Sequence, residues 1–233
     1  MAMDVLTIQR KLKGAGFDPG PLDGVRGRLT IRAIKAFQAA RGLEVDGVVG
    51  PITEGALSGV EASREPAASG LVWLDEAVRL KGTTEKPGGG SNPVILDWAD
   101  DLDIHLPDGD DTPWCGLFVA HCVAASLPEE PLANTPLLAR SWLKFGRETE
   151  PAPGATLVFW RGSRTAPTGH VAFYVGEDNG SYHVLGGNQS NQVNVVRIAK
   201  DRLLGARWPV TAGVAPGGAV EGSLGGGLSR NEQ

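Results

Sequence analysis

The stretch DTPWCGLFVAHC, which spans residues 111–122, holds both cysteines of this 233-residue chain. The pattern predicts a helix with Thr112 as its N-cap and Pro113 at its first position. Cys115 would then lie in the first turn, where unpaired backbone N–H groups and the helix dipole lower the pKa of a thiol. The neighbouring Gly116 leaves room for a substrate to approach. These residue types indicate a cysteine nucleophile, which requires a base.

Three other interpretations of this stretch are weaker. A helix places the Cα atoms of Cys115 and Cys122 about 10 Å apart, whereas a disulfide requires less than about 7 Å. His121 and Cys122 point to different sides of a helix, and the four histidines of the chain form no zinc-binding motif. We therefore expect no metal ligands here. Cys122 fits a core position, because it lies among apolar residues well inside the helix.

A base for the thiol is expected in the strands that follow. His170 opens the run HVAFYVGED, and the turn at residues 178–180 leads into the run SYHVLGGNQ. The length of the hairpin loop decides whether His170 faces Asn188 or Gln189. Either register places an amide side chain opposite the imidazole. An amide oxygen there would accept from one ring nitrogen and leave the other toward Cys115, as in a Cys-His-Asn site.

A repeat occupies the N-terminal quarter of the chain. Residues 23–34 (DGVRGRLTIRAI) and 46–57 (DGVVGPITEGAL) share the pattern D-G-V-x-G-x-x-T-x-x-A-(I/L). Each Asp-Gly predicts a turn, so Asp23 and Asp46 are interpreted as turn formers. The threonine of each copy is a candidate N-cap for the helix that follows. Together with an amphipathic helix near the start of the chain, the pattern predicts three short helices.

The rest of the chain divides by composition. A small, polar segment predicts a linker, helical patterns follow it, and β-rich runs separated by turn residues come last. Helices followed by strands favour an α+β domain with an antiparallel sheet. After Pro209 the chain is rich in glycine, which is typical of a disordered or extended tail. The predicted divisions are a small all-α domain at 1–59, a linker at 60–70, the α+β domain at 71–211 and a tail at 212–233.

Composition excludes some partners. The net charge is −5 and the pI about 5.4, and no basic stretch could follow a phosphate backbone, so nucleic acid is not expected. No apolar run approaches about 18 residues, so no membrane insertion is expected. The start of the chain lacks the apolar region of a signal peptide, which predicts synthesis in the cytoplasm. A target outside the cell would then be reached by lysis or on a particle.

Two family resemblances accompany these patterns. Residues 4–57 resemble a three-helix peptidoglycan-binding module, whose groove is expected near the glycine turns. The resemblance lies in the stretch VLTIQRKLKGAGFDPGPLDGVRGRLTIRAIKAFQAARGLEVDGVVGPITEGAL. The chain also resembles CHAP/NlpC-like cell-wall hydrolases over about residues 72–209. This resemblance lies in the stretches PWCGLFVAHC, PGATLVFWR, GHVAFYVGE and VLGGNQSNQV. The second resemblance implies a papain-like fold that cleaves amide bonds of peptidoglycan by a thiolate.

The resemblance also implies roles for single residues. Cys115 would be the nucleophile, His170 the base and later the acid, and Asn188 the orienting residue. Substrate contacts would come from Trp114, Gly116, Gln189 and Glu85. The chain departs from the family in two places: Trp114 stands where many relatives have a small polar residue or Asp, and the third catalytic position is Asn where others carry Glu or His.

The expected function is therefore that of a phage-type endolysin or a tail-carried wall hydrolase, an amidase or endopeptidase without a cofactor. Its partners would be peptidoglycan and phage tail proteins, and it would act at the bacterial cell wall. Some relatives bind calcium in acidic loops, and Asp101, Asp103 and Asp108 would be the ligands here, although a solvated acidic loop is the simpler interpretation. Two alternatives stay open: a non-catalytic wall-binding virion protein, and an acyltransferase or transamidase on the same Cys-His site.

Overall fold

The computed structural model of this chain describes residues 3–60, 70–86, 88, 90–217, 220 and 228–229. The predicted linker and the predicted glycine-rich tail lie largely outside these residues. By its internal contacts the chain divides into two units, Met1–Glu76 with Ala124–Pro128, and Ala77–Val123 with Glu129–Gln233. The first is helical and the second contains a sheet, so the predicted α+β protein of two parts is confirmed. The papain-like classification and the predicted domain boundaries stay predictions.

Three helices form the N-terminal part: α1 (Val5–Gly14), α2 (Arg28–Ala40) and α3 (Pro51–Ser58). Asp4 caps α1 by accepting a hydrogen bond from the backbone N–H of Thr7 at 2.9 Å. The helices enclose one apolar cluster, because each contributes residues at helical spacing. Its buried members are Ile8, Leu12, Ala33, Ile34, Phe37 and Leu57.

A buried glutamine on α1 organises the first repeated turn. Gln9 donates from Nε2 to Asp23 Oδ1 (2.7 Å), the carbonyl of Val25 (3.0 Å) and Thr30 Oγ1 (3.1 Å). Its Oε1 accepts from the backbone N–H of Gly24 at 2.8 Å. Asp23 also accepts from the N–H of Val25 at 2.8 Å, which confirms it as a turn former.

The second turn repeats this network with Gln38 of α2. Gln38 Nε2 donates to Asp46 Oδ1 (2.7 Å), the carbonyl of Val48 (2.9 Å) and Thr53 Oγ1 (3.3 Å). Its Oε1 accepts from the N–H of Gly47 at 2.9 Å. The predicted N-cap role of the repeat threonines is wrong. Glycines occupy the N-caps of α2 and α3, and each threonine is the third helical residue, where it joins the glutamine network.

The remaining helices are α4 (Val72–Arg79), α5 (Pro93–Asp100) and α6 (Cys115–Ser126). Six strands follow, and all their pairings are antiparallel, in the order β1-β6-β2-β3-β4-β5. Their bounds are β1 Arg147–Thr149, β2 Thr156–Trp160, β3 Gly169–Glu177, β4 Ser181–Gly186, β5 Asn194–Ala199 and β6 Leu203–Trp208. The central strands are largely buried on both faces, so the sheet lies within the core of its unit.

The β3–β4 hairpin contains both registers that the sequence allowed. Glu177 pairs with Tyr182 and Gly176 with His183, which is the register of a two-residue loop. Beyond an irregularity between Tyr174 and Gly176, Tyr174 pairs with Val184, which is the register of a three-residue loop. A bulge of this kind changes which residues face one another farther along the hairpin. The pairing of β3 with β4 ends at Phe173 and Leu185, so the register of the hairpin does not reach His170.

Within the described residues, no helix is long and apolar enough to cross a membrane.

Candidate active site

Cys115 is the first residue of α6, two positions earlier in the helix than predicted. Thr112 has the extended conformation that is usual before a proline (φ −66°, ψ 130°), and the helix begins three residues later, at Cys115, so Thr112 is not its N-cap. The first helical hydrogen bond joins the N–H of Phe118 to the carbonyl of Trp114 at 2.9 Å. Cys115 therefore lies among the unsatisfied N–H groups of the helix start, as the sequence suggested.

The thiol of Cys115 is buried, and burial raises its pKa above the usual value for cysteine. The backbone N–H groups of Val171, Gly116 and Cys115 itself oppose this rise, and so does the charge of Arg161. The expectation of a lowered pKa is therefore wrong in its net direction, because desolvation exceeds the effect of the helix start. A thiol with a raised pKa would need a base in order to act as a nucleophile.

The contact with Val171 places the thiol beside strand β3, directly after His170. His170 is fully buried and pairs with Phe159 of β2. Its Nε2 lies 2.9 Å from Gln189 Oε1. Because an amide oxygen can only accept, Nε2 carries the proton in the neutral imidazole and Nδ1 carries the lone pair.

The orientation of Gln189 is fixed by Asn194 at the start of β5. Gln189 Nε2 donates to the backbone carbonyl of Asn194 at 2.6 Å and to its Oδ1 at 3.0 Å. Asn194 Nδ2 returns a hydrogen bond to the carbonyl of Gln189 at 3.1 Å. With its nitrogen facing two acceptors, the amide of Gln189 must turn its oxygen toward His170.

Asn188, the predicted orienting residue, lies elsewhere. In the amide orientation that satisfies its neighbours, its nitrogen donates to Glu85 Oε1 and its oxygen accepts from the backbone N–H of Trp114, both at 3.1 Å. Asn188 thus holds the entry to α6, and the structure gives His170 the amide of Gln189 instead. Strand β4 ends at Gly186, and the loop that follows it, with a positive φ angle at Asn188, turns the amide of Gln189 toward the imidazole.

Glu85 also contacts the entry to α6, from the loop between α4 and α5, which is called the front loop here. Its Oε1 also accepts from Trp114 Nε1 at 2.7 Å, and its backbone N–H donates to Asn191 at 2.9 Å. Burial raises the pKa of the Glu85 carboxyl, the indole N–H partly lowers it, and the charges of Asp110 and Asp111 raise it further. This carboxylate thus ties the front loop to the start of α6.

Three of the expected substrate contacts are buried. Trp114 and Gln189 have no exposed surface, and both are engaged in the contacts described above. Gly116 does not leave room for a substrate, because a Cβ atom there would collide with the carbonyl oxygen of Pro136. Close packing of backbone on backbone accounts for this glycine.

The loop after β4 has an uncommon backbone. Asn188, Ser190 and Asn191 have positive φ angles of 55°, 53° and 61°, and the N–H of Gln189 donates to Gln192 at 3.0 Å. Side chains other than glycine seldom adopt this conformation, and such residues cluster at active sites.

A cleft of about 730 Å³ opens beside Cys115. Its walls come from residues 132–144 on one side and 161–169 on the other. No sequence motif pointed to either wall. The basic residues Arg140, Lys144 and Arg161 are their only distinctive feature in the sequence.

The candidate calcium ligands of the acidic loop do not form a cluster of side chains. Within the described part of the chain, no three His, Cys, Asp or Glu side chains converge as metal ligands would. Asp101, Asp103 and Asp108 are thus not gathered around a common point. Both cysteines are free thiols, and Cys122 is a fully buried core residue, as predicted.

The N-terminal part matches a known family. Residues 2–57 match the family described as "Putative peptidoglycan binding domain". The chain is 38% identical over 85 residues to a spore cortex-lytic enzyme of Bacillus cereus. These 85 residues cover 36% of this chain and 29% of that protein. The chain is also 38% identical over 67 residues to the N-acetylmuramoyl-L-alanine amidase CwlL of Bacillus licheniformis, covering 28% of this chain and 19% of that protein. No solved structure matches the chain.

The chain thus spans less than a third of the length of these curated relatives. Its residues 2–57 form a segment of the peptidoglycan-binding type, and the relatives it resembles are named as enzymes that act on the cell wall.

Proposed function

We propose that this protein is a peptidoglycan hydrolase that cleaves an amide bond with Cys115 as nucleophile, His170 as base and Gln189 as the orienting residue. One observation carries the proposal: a buried His170, bound to Gln189, lies on the strand beside a cysteine at a helix start, next to an open cleft. The match of residues 2–57 supports peptidoglycan as the polymer.

The chemistry follows from the tautomer of His170. As the sulfur of Cys115 attacks the carbonyl carbon, Nδ1 accepts the thiol proton and Gln189 Oε1 stabilises the imidazolium through Nε2–H. The negative oxygen of the tetrahedral intermediate is held by backbone N–H groups at the start of α6. Collapse breaks the C–N bond, and the imidazolium returns its proton to the leaving amine. Water, deprotonated by His170, then hydrolyses the thioester and releases the acid.

The raised pKa of Cys115 fits this order of events, because a protonated thiol gives up its proton only when the base is aligned. Finer aspects belong to the same proposal. The catalytic part would be papain-like, of the CHAP/NlpC type, and the protein would act on bacterial walls as a phage-type endolysin or on a tail.

The test is mass spectrometry of purified peptidoglycan after treatment with the protein and with Cys115→Ala. We expect new carboxyl and amine ends on peptide fragments from the unaltered protein, and none from Cys115→Ala. Cys122→Ala is the matched control, because it removes the other thiol from the core and should retain cleavage.

Other products would replace the proposal. New reducing sugar ends, unaffected by Cys115→Ala, would move the chemistry to a carboxylate. Products that gain an added amine would indicate a transamidase. Retained wall binding without any product would leave a structural, wall-binding protein.

A further inference from the structure

The charged side chains that line the cleft beside Cys115 are all basic. Its lining includes the basic residues Arg140, Lys144 and Arg161 and no carboxylate among the described residues that form it. The chain as a whole carries a net charge of −5, so this local excess of positive charge is opposite to the global balance. A cleft lined by one sign of charge concentrates ligands of the opposite sign.

Arg140 holds the wall of the cleft in place. Its Nε donates to the carbonyl of Thr168 at 3.0 Å, and its Nη2 donates to that of Arg164 at 3.1 Å. These bonds fasten the 161–169 loop to the short 3₁₀ helix Ala139–Lys144. The guanidinium thus has a structural task, although its charge stays at the cleft.

Arg161 and Lys144 have no carboxylate partner among the described residues, and both line the cleft. Arg161 lies close enough to the thiol for its charge to stabilise the thiolate. Lys144 is exposed at the end of the 3₁₀ helix. A ligand in the cleft would therefore meet one cation near the scissile bond and a second farther along the wall.

Apolar side chains supply the rest of the surface. Leu132, Leu137 and Leu138 line the same cleft, and Leu138 is 61% exposed. Small apolar groups next to cations match a peptide that carries methyl groups and carboxylates. They match a hydroxyl-rich sugar chain poorly.

We propose that this cleft binds the stem peptide of peptidoglycan through a free carboxylate next to the scissile amide, so that a carboxamide at that position makes a poorer substrate. The inference rests on the proposed function and adds its substrate class. A carboxylate accepts charge-assisted hydrogen bonds from Arg161 and Lys144, whereas a carboxamide of nearly the same shape carries no charge.

The test compares kcat/KM for two soluble stem peptides that differ only by carboxylate or carboxamide beside the cleaved bond. For the unaltered protein we expect a preference of about tenfold or more for the carboxylate, which is the discrimination that one charge-assisted contact provides. Lys144→Gln and Arg161→Gln should each bring the ratio toward one. The ratio is the informative quantity, because any effect of Arg161 on the thiol is the same for both peptides.

Lys81→Gln is the matched control, since Lys81 is an exposed lysine outside the cleft lining. It should leave the preference intact. The preference should also shrink as salt rises from about 0.1 M to about 1 M, where the Debye length falls from about 10 Å to about 3 Å.

Two results would overturn the inference. Equal cleavage of both peptides by the unaltered protein removes the carboxylate preference and leaves the hydrolase function standing. If neither peptide is cleaved, calorimetry with Cys115→Ala decides: tighter binding of the carboxylate peptide sustains the inference, and equal binding ends it.

Discussion

At the residue scale, two adjacent amides have different tasks. Gln189 contacts the imidazole of His170, and Asn188 contacts the backbone N–H of Trp114 at the entry to α6. One amide therefore contacts the proposed base, and the other contacts the start of the helix that carries Cys115. Substitution can separate these tasks, because each side chain serves only one of them.

We expect Gln189→Ala to lower kcat by about 10²-fold with little change in KM, since it removes the acceptor that orients the base without removing a substrate contact. Asn188→Ala should lower kcat by less than about tenfold, because it costs a buried hydrogen-bond partner and does not touch the imidazole. Steady-state kinetics on a soluble stem peptide, with melting curves for both variants, measures the difference. A larger kcat loss in Asn188→Ala would return the orienting role to Asn188.

The sequence alone could predict only part of this site, and Asn188 and Gln189 show where the prediction ends. The types and order of Cys115 and His170 were readable from the sequence, because a helix start and a strand start are local features. The choice between Asn188 and Gln189 was not, because both lie beyond the end of β4, in a loop whose path depends on tertiary contacts such as those of Gln189 with Asn194. The cleft walls were missed altogether, since they are irregular segments that only the tertiary fold brings beside the thiol.

At the element scale, the β3–β4 hairpin is closed by one carboxylate. Asp178 Oδ1 accepts from the N–H groups of Gly180 and Ser181, both at 2.9 Å. Its Oδ2 accepts from Ser181 Oγ (2.8 Å), faces His183 Nε2 (2.9 Å) and pairs with Arg197 Nη2 of β5 (2.7 Å). His183 is buried here and takes part in the hydrogen bonds of this turn. These hydrogen bonds, first that of His183, hold the pKa of Asp178 well below its ordinary value.

This carboxylate should make stability depend on acid pH. The folded-state pKa lies below the unfolded value of about 3.9, so the stabilisation is present above about pH 4 and is lost as pH falls toward the folded pKa. We expect Asp178→Asn to melt at a lower temperature than the unaltered protein at neutral pH, and the difference to shrink as pH falls below about 4. Calorimetry or circular dichroism across this range measures it.

Asp201→Asn is the control for that comparison, because Asp201 is an exposed acid on the neighbouring turn. It should melt like the unaltered protein at both ends of the range. A constant difference between Asp178→Asn and the unaltered protein at every pH would contradict the electrostatic explanation and leave only a packing effect.

The sequence of the helical repeat predicted the turns and helices but not the hydrogen bonds that hold the turns. Its pattern located the turns and the number of helices correctly, because Asp-Gly and apolar spacing are local signals. It assigned the threonines to N-caps, although Thr30 and Thr53 are bound instead by Gln9 and Gln38. The two glutamines precede their turns by 14 and 8 residues, so the repeat pattern cannot reveal that they play the same part.

At the scale of the whole molecule, a binding segment and a candidate catalytic site share one chain. A segment that holds the protein on an insoluble polymer raises the local concentration of cleavable bonds without altering the chemistry at each bond. The two parts should therefore separate in an assay that compares the polymer with a soluble fragment. The glutamine networks offer a way to weaken the binding segment in the full-length protein.

We expect Gln38→Ala to weaken the N-terminal part by about 1–3 kcal/mol, because it leaves the buried groups of the second turn without their partner. So small a core tolerates such a loss poorly. Binding to sedimented peptidoglycan should fall, and cleavage of the insoluble wall should fall by up to about 10²-fold. The kcat/KM on a soluble stem peptide should not change.

Lys35→Ala, on the exposed side of the same helix, should alter neither measurement. If hydrogen exchange shows that the second turn has opened and cleavage of the wall is nevertheless undiminished, the N-terminal part does not anchor the enzyme, and recognition of the polymer must lie in the cleft beside Cys115.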